Sequence, residues 1–161
     1  MIHPNFKEYL PSYYFSTINP HAAYPKLEGR LKTETCVIGG GLTGLCTALP
    51  LAENGREVTV LEAARIGFGA SGRSGGQVIS DYACGMEEIE KQVGLEQARW
   101  FWQQSLQAVE LVDERVKKHQ IACDWQRGYA TVAIRPQHWE ELQQWHEHAR
   151  QHYGATHYQL W

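Results

Sequence analysis

Apolar positions along the chain fall into a few blocks with different periods. Cys36, Val37 and Ile38 form a short continuous run, as expected of a strand covered on both faces. Leu45, Ala48, Leu49 and Ala52 then recur at i, i+3, i+4 and i+7, which is one face of a helix. Asn54-Gly55 is a helix stop with Gly55 at the C′ position. A second apolar run, Val58–Leu61, completes a strand–helix–strand pattern. Pro50 disagrees with that pattern, because a proline inside a helix costs about 3 kcal/mol. A kink or a separate last turn is expected there.

Later blocks are mostly helical. A short helix is predicted around Met86–Val93, ended by Gly94, and a longer one over Glu96–His119. Trp102, Leu106, Val109, Val112 and Val116 mark the apolar face of the longer helix, and Lys117, Lys118 and His119 suit its C-terminal dipole. Cys123–Trp125, the turn Arg127-Gly128 and Tyr129–Ile134 read as a hairpin. Pro136 opens a last helix at its favoured first position, and Gly154 ends it after Tyr153. Residues 1 to 30 read as an irregular arm carrying Pro4, Pro11, Pro20 and Pro25, anchored by Tyr9, Tyr13, Tyr14 and Phe15. No internal repeat or low-complexity tract interrupts this order. The fold class is therefore α/β, with a Rossmann-like βαβ start.

Composition narrows the function classes. The chain has 161 residues, 43% of them hydrophobic, which supports one globular core. The net charge of −3 gives no reason to expect nucleic acid. No apolar run is long enough to span a bilayer, and the N-terminus has no apolar signal segment. Cys36, Cys46, Cys84 and Cys123 are widely spaced, and the first two fall on elements expected to be buried. Reduced thiols and a cytoplasmic location are the expectation.

The candidate chemistry sits between the first two strands. Gly39, Gly41 and Gly44 stand in G-x-G-x-x-G spacing, and Glu62 follows the second strand roughly 20 residues on. Gly39 permits the tight turn, Gly41 lets the backbone approach a pyrophosphate, and Gly44 lets the helix lie close to the sheet. The first-turn N–H groups of Leu42, Thr43 and Gly44 would face the phosphates, and Glu62 would accept from a ribose diol.

A second glycine-rich loop, Gly67–Gln77, follows at once, with five glycines and Arg73. Read from its residues, it is either a flexible linker or a loop that lays N–H groups and a cation along an extended cofactor. An NAD-dependent dehydrogenase would need another βα unit at this place. The segments Cys36-Val37-Ile38-Gly39-Gly40-Gly41, Leu61-Glu62-Ala63 and Gly67-Phe68-Gly69-Ala70-Ser71-Gly72-Arg73-Ser74-Gly75-Gly76-Gln77 together resemble the D-amino-acid oxidase-like family of FAD-dependent oxidoreductases. Ser12-Tyr13-Tyr14, Asn19-Pro20, Cys123-Asp124-Trp125-Gln126 and Gly128-Tyr129 fit a subgroup of it that acts on gamma-glutamylputrescine.

The resemblance implies FAD as cofactor and a small-molecule amine or amino-acid substrate, oxidised to an imine, with oxygen reoxidising the flavin. By the same resemblance Gly39, Gly41 and Gly44, with Leu42 and Thr43, contact the pyrophosphate. Glu62 and Ala63 lie at the adenosine ribose, Ser71, Gly72 and Arg73 along the middle of the cofactor, and Gly75, Gly76 and Gln77 near the flavin ring. Ser74 stands where the family pattern has Asn. Members of the family are far longer, so the resemblance implies an N-terminal portion. It divides into an arm (1–30), a partial FAD-binding domain (31–122) and the beginning of an α+β substrate domain (123–161), to be completed by further polypeptide. No catalytic residue is assigned on this basis. The alternative of another class is a truncated, non-catalytic dinucleotide-binding or interaction module.

Two other clusters carry less. His148 and His152 are four residues apart, a metal-ligand spacing, but they fall opposite Trp139, Leu142, Ala149 and Tyr153 with no third ligand, so a solvated face is expected and no metal. Trp102, Trp139 and Trp145 fit helix faces and read as core. No Ser-His-Asp set, P-loop or H-E-x-x-H is present.

Overall fold

The computed structural model describes residues 12–19 and 24–161, in two compact units that divide between Gln77 and Val78. Pro4, Tyr9, Pro11 and Pro20 lie outside the described residues.

The first unit is a βαβ unit with two attachments. Strand β1 (Thr35–Ile38), helix α2 (Leu42–Glu53) and strand β2 (Val58–Leu61) follow in order, preceded by a short helix α1 (Tyr13–Thr17). The strands pair in parallel from Thr35 opposite Val58 to Ile38 opposite Leu61, and α2 packs on both. The arm is thus not wholly irregular: Ser12 Oγ accepts the Phe15 N–H at 3.2 Å and caps α1. A 3-10 turn, Ala70–Arg73, contacts α1.

Helix α2 closes as its sequence predicts. Gly55 (φ +76°) donates to Ala52 O and Arg56 to Leu51 O, the paired bonds of a Schellman motif. Pro50 neither kinks α2 into two pieces nor ends it. It lies in the last turn, where only one intrahelical donor is lost. Asn54 holds the Pro50 carbonyl with both its backbone N–H (3.0 Å) and its side-chain amide (2.8 Å).

The strands are less covered than their apolar runs suggest. Thr35 and Val37 are half-buried, while Cys36 and Ile38 are exposed, Ile38 to 87%. With α2 on one face, alternate residues of β1 point to the open one. Cys36 is therefore exposed, contrary to expectation; Cys46 on α2 is exposed as well, as are Cys84 and Cys123, and all four are free thiols.

The second unit is helical. Helix α3 spans Met86–Lys118, but Gly94 (φ 79°, ψ 161°) leaves helical geometry and separates 86–93 from 95–118, where the two predicted helices meet. Helix α4 (Pro136–Tyr153) starts on its proline and ends on left-handed Gly154. The core joins them through Met86, Ala98, Trp102, Ala149, Tyr153 and Ala155. Trp102 is 1% exposed and stacks on Tyr153 at 5.5 Å between ring centres. Trp145 packs against this core, whereas Trp139 is 38% exposed and does not join it.

The expected hairpin does not form. Residues 123–134 contain no strand, and Val132 and Ile134 are 73% and 78% exposed. Polar anchoring replaces strand pairing. Arg127 forks onto Glu110 at 3.1 and 2.6 Å and also donates to Asp113, which accepts from Trp125 Nε1 and Lys117 Nζ at 2.7 Å each. Asp113 is 2% exposed, and the Arg127 and Lys117 cations hold its carboxyl below the ordinary carboxylate range. Arg127 also lowers Glu110, and the two carboxylates raise the guanidinium in turn.

Candidate functional site

The glycine turn between β1 and α2 is where the first unit concentrates backbone donors. Gly39 (φ +104°) donates to Leu61 O at 2.7 Å, closing the strand ladder as the chain turns. That left-handed conformation favours glycine. Gly41 is the N-cap of α2, and its carbonyl accepts the Leu45 N–H at 2.9 Å. Leu42, Thr43 and Gly44 occupy the first turn, whose N–H groups have no intrahelical acceptor, and no acidic side chain stands there. The positive end of the helix dipole is thus presented at the turn.

Gly39 is needed for its backbone conformation, whereas Gly44 and Gly41 have steric reasons. A Cβ on Gly44 would overlap the Gly39 carbonyl oxygen and lie 3.4 Å from Val37 Cγ1, so the close seating of α2 on β1 requires its absence. A Cβ on Gly41 would sit 2.9 Å from Ser71 Oγ. The group that approaches Gly41 within the protein is therefore the Ser71 hydroxyl, which accepts the Leu42 N–H at 2.9 Å. One on Gly72 would overlap the Gly67 carbonyl, which explains a further loop glycine.

Glu62 follows β2 directly and is half-buried. Its Oε2 accepts the Gly40 N–H at 2.7 Å and its Oε1 the Ala64 N–H at 2.9 Å, which fixes the carboxylate against the turn. Each oxygen keeps a lone pair for a further donor. Ala63 beside it is exposed. The second glycine loop is tied back to the same turn by Gly67 N–H to Gly40 O at 2.9 Å. The loop is not a free linker: Ser71, Gly72 and Arg73 form the 3-10 turn, with Arg73 exposed at its end. Ser74 accepts the Gly76 N–H at 3.3 Å. Gly75, Gly76 and Gln77 are exposed, and Tyr14 Oη lies 3.8 Å from where a Gly75 Cβ would be.

These residues fit a diphosphate-bearing cofactor. A helix N-terminus free of carboxylates, a backbone stripped of Cβ atoms and an adjacent fixed acid are what a pyrophosphate and its ribose require. The structure brings Gly39, Gly41, Leu42, Glu62 and Ser71 together at this turn through the bonds given above, with Thr43 and Gly44 in the first turn of α2. Sequence reasoning missed Gly40, which the motif treats as variable. It also missed that the Ser71 hydroxyl caps α2 from 29 residues away.

The histidine pair needs correction. His148 is not on a purely solvated face: its Nε2 lies 2.9 Å from Glu90 Oε2, and its ring is 4.4 Å from that of His152. Tyr153 Oη donates to the same Glu90 oxygen at 2.6 Å. Bonds from Tyr153 and His148 lower Glu90, and burial with the Glu90 contact raises Tyr153. An open cleft of about 440 Å³ beside them is lined by Glu87, Glu141 and Trp145 among others. No group of three or more metal-ligating side chains occurs among the described residues. No helix among them is long and apolar enough to cross a membrane.

Comparison with known proteins agrees with the glycine turn. The family described as FAD dependent oxidoreductase (DAO) matches residues 34–161. The chain is 42% identical over 161 residues to the probable oxidoreductase OrdL of Haemophilus influenzae, covering 37% of that protein. It is 44% identical over 127 residues to gamma-glutamylputrescine oxidoreductase of Escherichia coli, covering 79% of this chain and 30% of that one. A probable oxidoreductase OrdL of Rhizobium meliloti is 35% identical over 121 residues, 75% of this chain and 28% of its own. The chain thus spans about a third of the length of these relatives. No solved structure matches it.

Proposed function

The chain belongs to the DAO family of FAD-dependent oxidoreductases, and we propose that its first unit forms the adenosine-diphosphate end of an FAD site in an enzyme oxidising an amine or amino acid. The observation that carries this reading is the β1–α2 turn, where first-turn N–H groups, a Cβ-free backbone and the fixed Glu62 carboxylate converge. Gly41, Leu42, Thr43 and Gly44 line the pyrophosphate with backbone groups, Gly39, whose N–H is bonded to Leu61 O, shapes the turn that carries them, and Glu62, with Ala63 beside it, receives the ribose hydroxyls. Ser71, Gly72 and Arg73 lie along the middle of the cofactor, Arg73 supplying positive charge, and Gly75, Gly76 and Gln77 approach the flavin ring. FAD, when bound, supplies the hydride acceptor for oxidation of a C–N bond to an imine.

The likeness to the Escherichia coli protein favours gamma-glutamylputrescine as substrate, and oxygen is the final acceptor proposed with it. Residues 31–122 then belong to a Rossmann-like FAD-binding domain and 123–161 open the substrate domain. Further polypeptide completes the sheet and supplies the groups that select the substrate. The test is to purify the complete polypeptide that carries this sequence. A yellow protein with flavin absorbance and peroxide formation dependent on gamma-glutamylputrescine is expected. A colourless, inert protein would overturn the reading in favour of a non-catalytic dinucleotide-binding module.

A further inference from the structure

We infer that Gly40, the variable position between the first two motif glycines, is a positioning residue that sets the Glu62 carboxylate for the ribose. This rests on the reading of Glu62 given above. Both backbone groups of Gly40 are engaged by the segment after β2. Its N–H holds Glu62 Oε2 at 2.7 Å, and its carbonyl holds the Gly67 N–H at 2.9 Å. Gly40 is buried, the only residue of the turn that is. Its missing Cβ leaves room for the segment to close: a Cβ there would lie 2.5 Å from Ile66 Cδ1, 3.3 Å from Glu62 Oε2 and 3.4 Å from Glu62 Cβ.

The need for glycine here is one of space and not of backbone conformation, because Gly40 is not among the positive-φ glycines. The Ile66 Cδ1 atom is the far end of a flexible side chain and can shift. The Glu62 carboxylate cannot move far without losing the Gly40 N–H or the Ala64 N–H that holds its other oxygen. Bulk at position 40 therefore acts on the carboxylate, 22 residues away, and through it on recognition of the diol. Gly67 is held by the same residue, which together with the Ser71–Leu42 bond registers the second glycine loop to the first turn.

The test separates this role from the pyrophosphate cradle. Equilibrium titrations of the complete, flavin-free polypeptide with ADP and with 2′,3′-dideoxy-ADP measure the diol preference apart from phosphate binding. Wild type should prefer ADP by about tenfold, the loss expected when one charge-assisted bond goes unmade. Gly40→Val should bring the two ligands within about twofold of each other, by the same reasoning, and should add no further loss of preference to Glu62→Ala. Ile66→Ala, which leaves the Gly40–Glu62 bond in place, should keep the preference. Should Gly40→Val fail to fold, Gly40→Ala serves, with a partial loss of preference expected. A folded Gly40 variant that keeps the full preference overturns the role of Gly40 while leaving the Glu62 reading intact. A wild-type protein that binds both ligands equally overturns both.

Discussion

Replacing Gly44 by alanine tests the seating of α2 on β1 most sharply. The added methyl would overlap the Gly39 carbonyl oxygen, lie 3.1 Å from the Gly39 carbonyl carbon and touch Val37 Cγ1 at 3.4 Å. Two of these three atoms are backbone in a turn already fixed by Gly39 N–H to Leu61 O, so the helix must lift instead. Overpacking of this kind costs about 1–3 kcal/mol. Alanine is the better helix former by up to about 1 kcal/mol, which offsets part of it. From the middle of that range a net loss of about 1 kcal/mol remains, or roughly 2–4 °C in melting temperature for a domain of about 150–250 residues. Thr47→Ala on the same helix removes only an exposed hydroxyl bonded to Thr43 O, and should be neutral or gain about 0.5 kcal/mol. Thermal melts of the two variants in the complete polypeptide decide the matter. If Gly44→Ala melts with or above wild type, close helix–strand contact is not why glycine stands there.

Three further outcomes follow from the same structure. Glu62→Ala removes a charge-assisted acceptor worth about 1.5–3 kcal/mol, so FAD affinity should fall by roughly ten- to a hundredfold; unchanged affinity in a flavin titration would remove Glu62 from the ribose site. Tyr153 and then His148 hold the Glu90 carboxyl below its ordinary value, so the stabilisation is present above an unfolded pKa of about 4.3 and is lost as pH falls through the lower folded value. Tyr153→Phe should accordingly move the acid midpoint of unfolding to higher pH, and an unmoved midpoint would show that the Tyr153–Glu90 bond adds nothing. Arg127→Met leaves segment 123–129 held only by Trp125 on Asp113 and Tyr129 on Tyr158, so chymotryptic cleavage at Trp125 should quicken; an unchanged cleavage rate would deny the anchoring role of the fork onto Glu110 and Asp113.

Legibility in the sequence followed the range of the interactions. Helix limits at Gly55, Gly94, Pro136 and Gly154 were readable because they are set by residues within one turn. The glycine turn was readable for the same reason, and the βαβ order from the succession of apolar run, helix period and apolar run. Tyr129–Ile134 after the turn Arg127-Gly128 pointed to the second arm of a hairpin, but a strand exists only with a neighbour to pair with, and none adjoins this segment among the described residues. Burial of Cys36 and Cys46 was misjudged because an apolar run reports what a segment can bury, not how many faces are covered. The Asp113 cluster did leave a sign: one carboxylate inside the stripe of Val109, Val112 and Val116 asks for a partner, though the stripe alone does not name Arg127. Ser71 and Gly40 left no sign in spacing, because their roles depend on how the loop after β2 folds back.

The central claim is that the β1–α2 turn binds the diphosphate of FAD. Equilibrium titration of FAD into the flavin-free complete polypeptide, wild type against Gly41→Val, tests it most directly. A Cβ at Gly41 already meets Ser71 Oγ at 2.9 Å, so the branched side chain must displace that hydroxyl from the Leu42 N–H and fill the approach to the first turn of α2. The account predicts one FAD bound per wild-type chain, undisturbed by excess NADH, and no retained flavin in the folded variant. Equal FAD occupancy in wild type and Gly41→Val would contradict it.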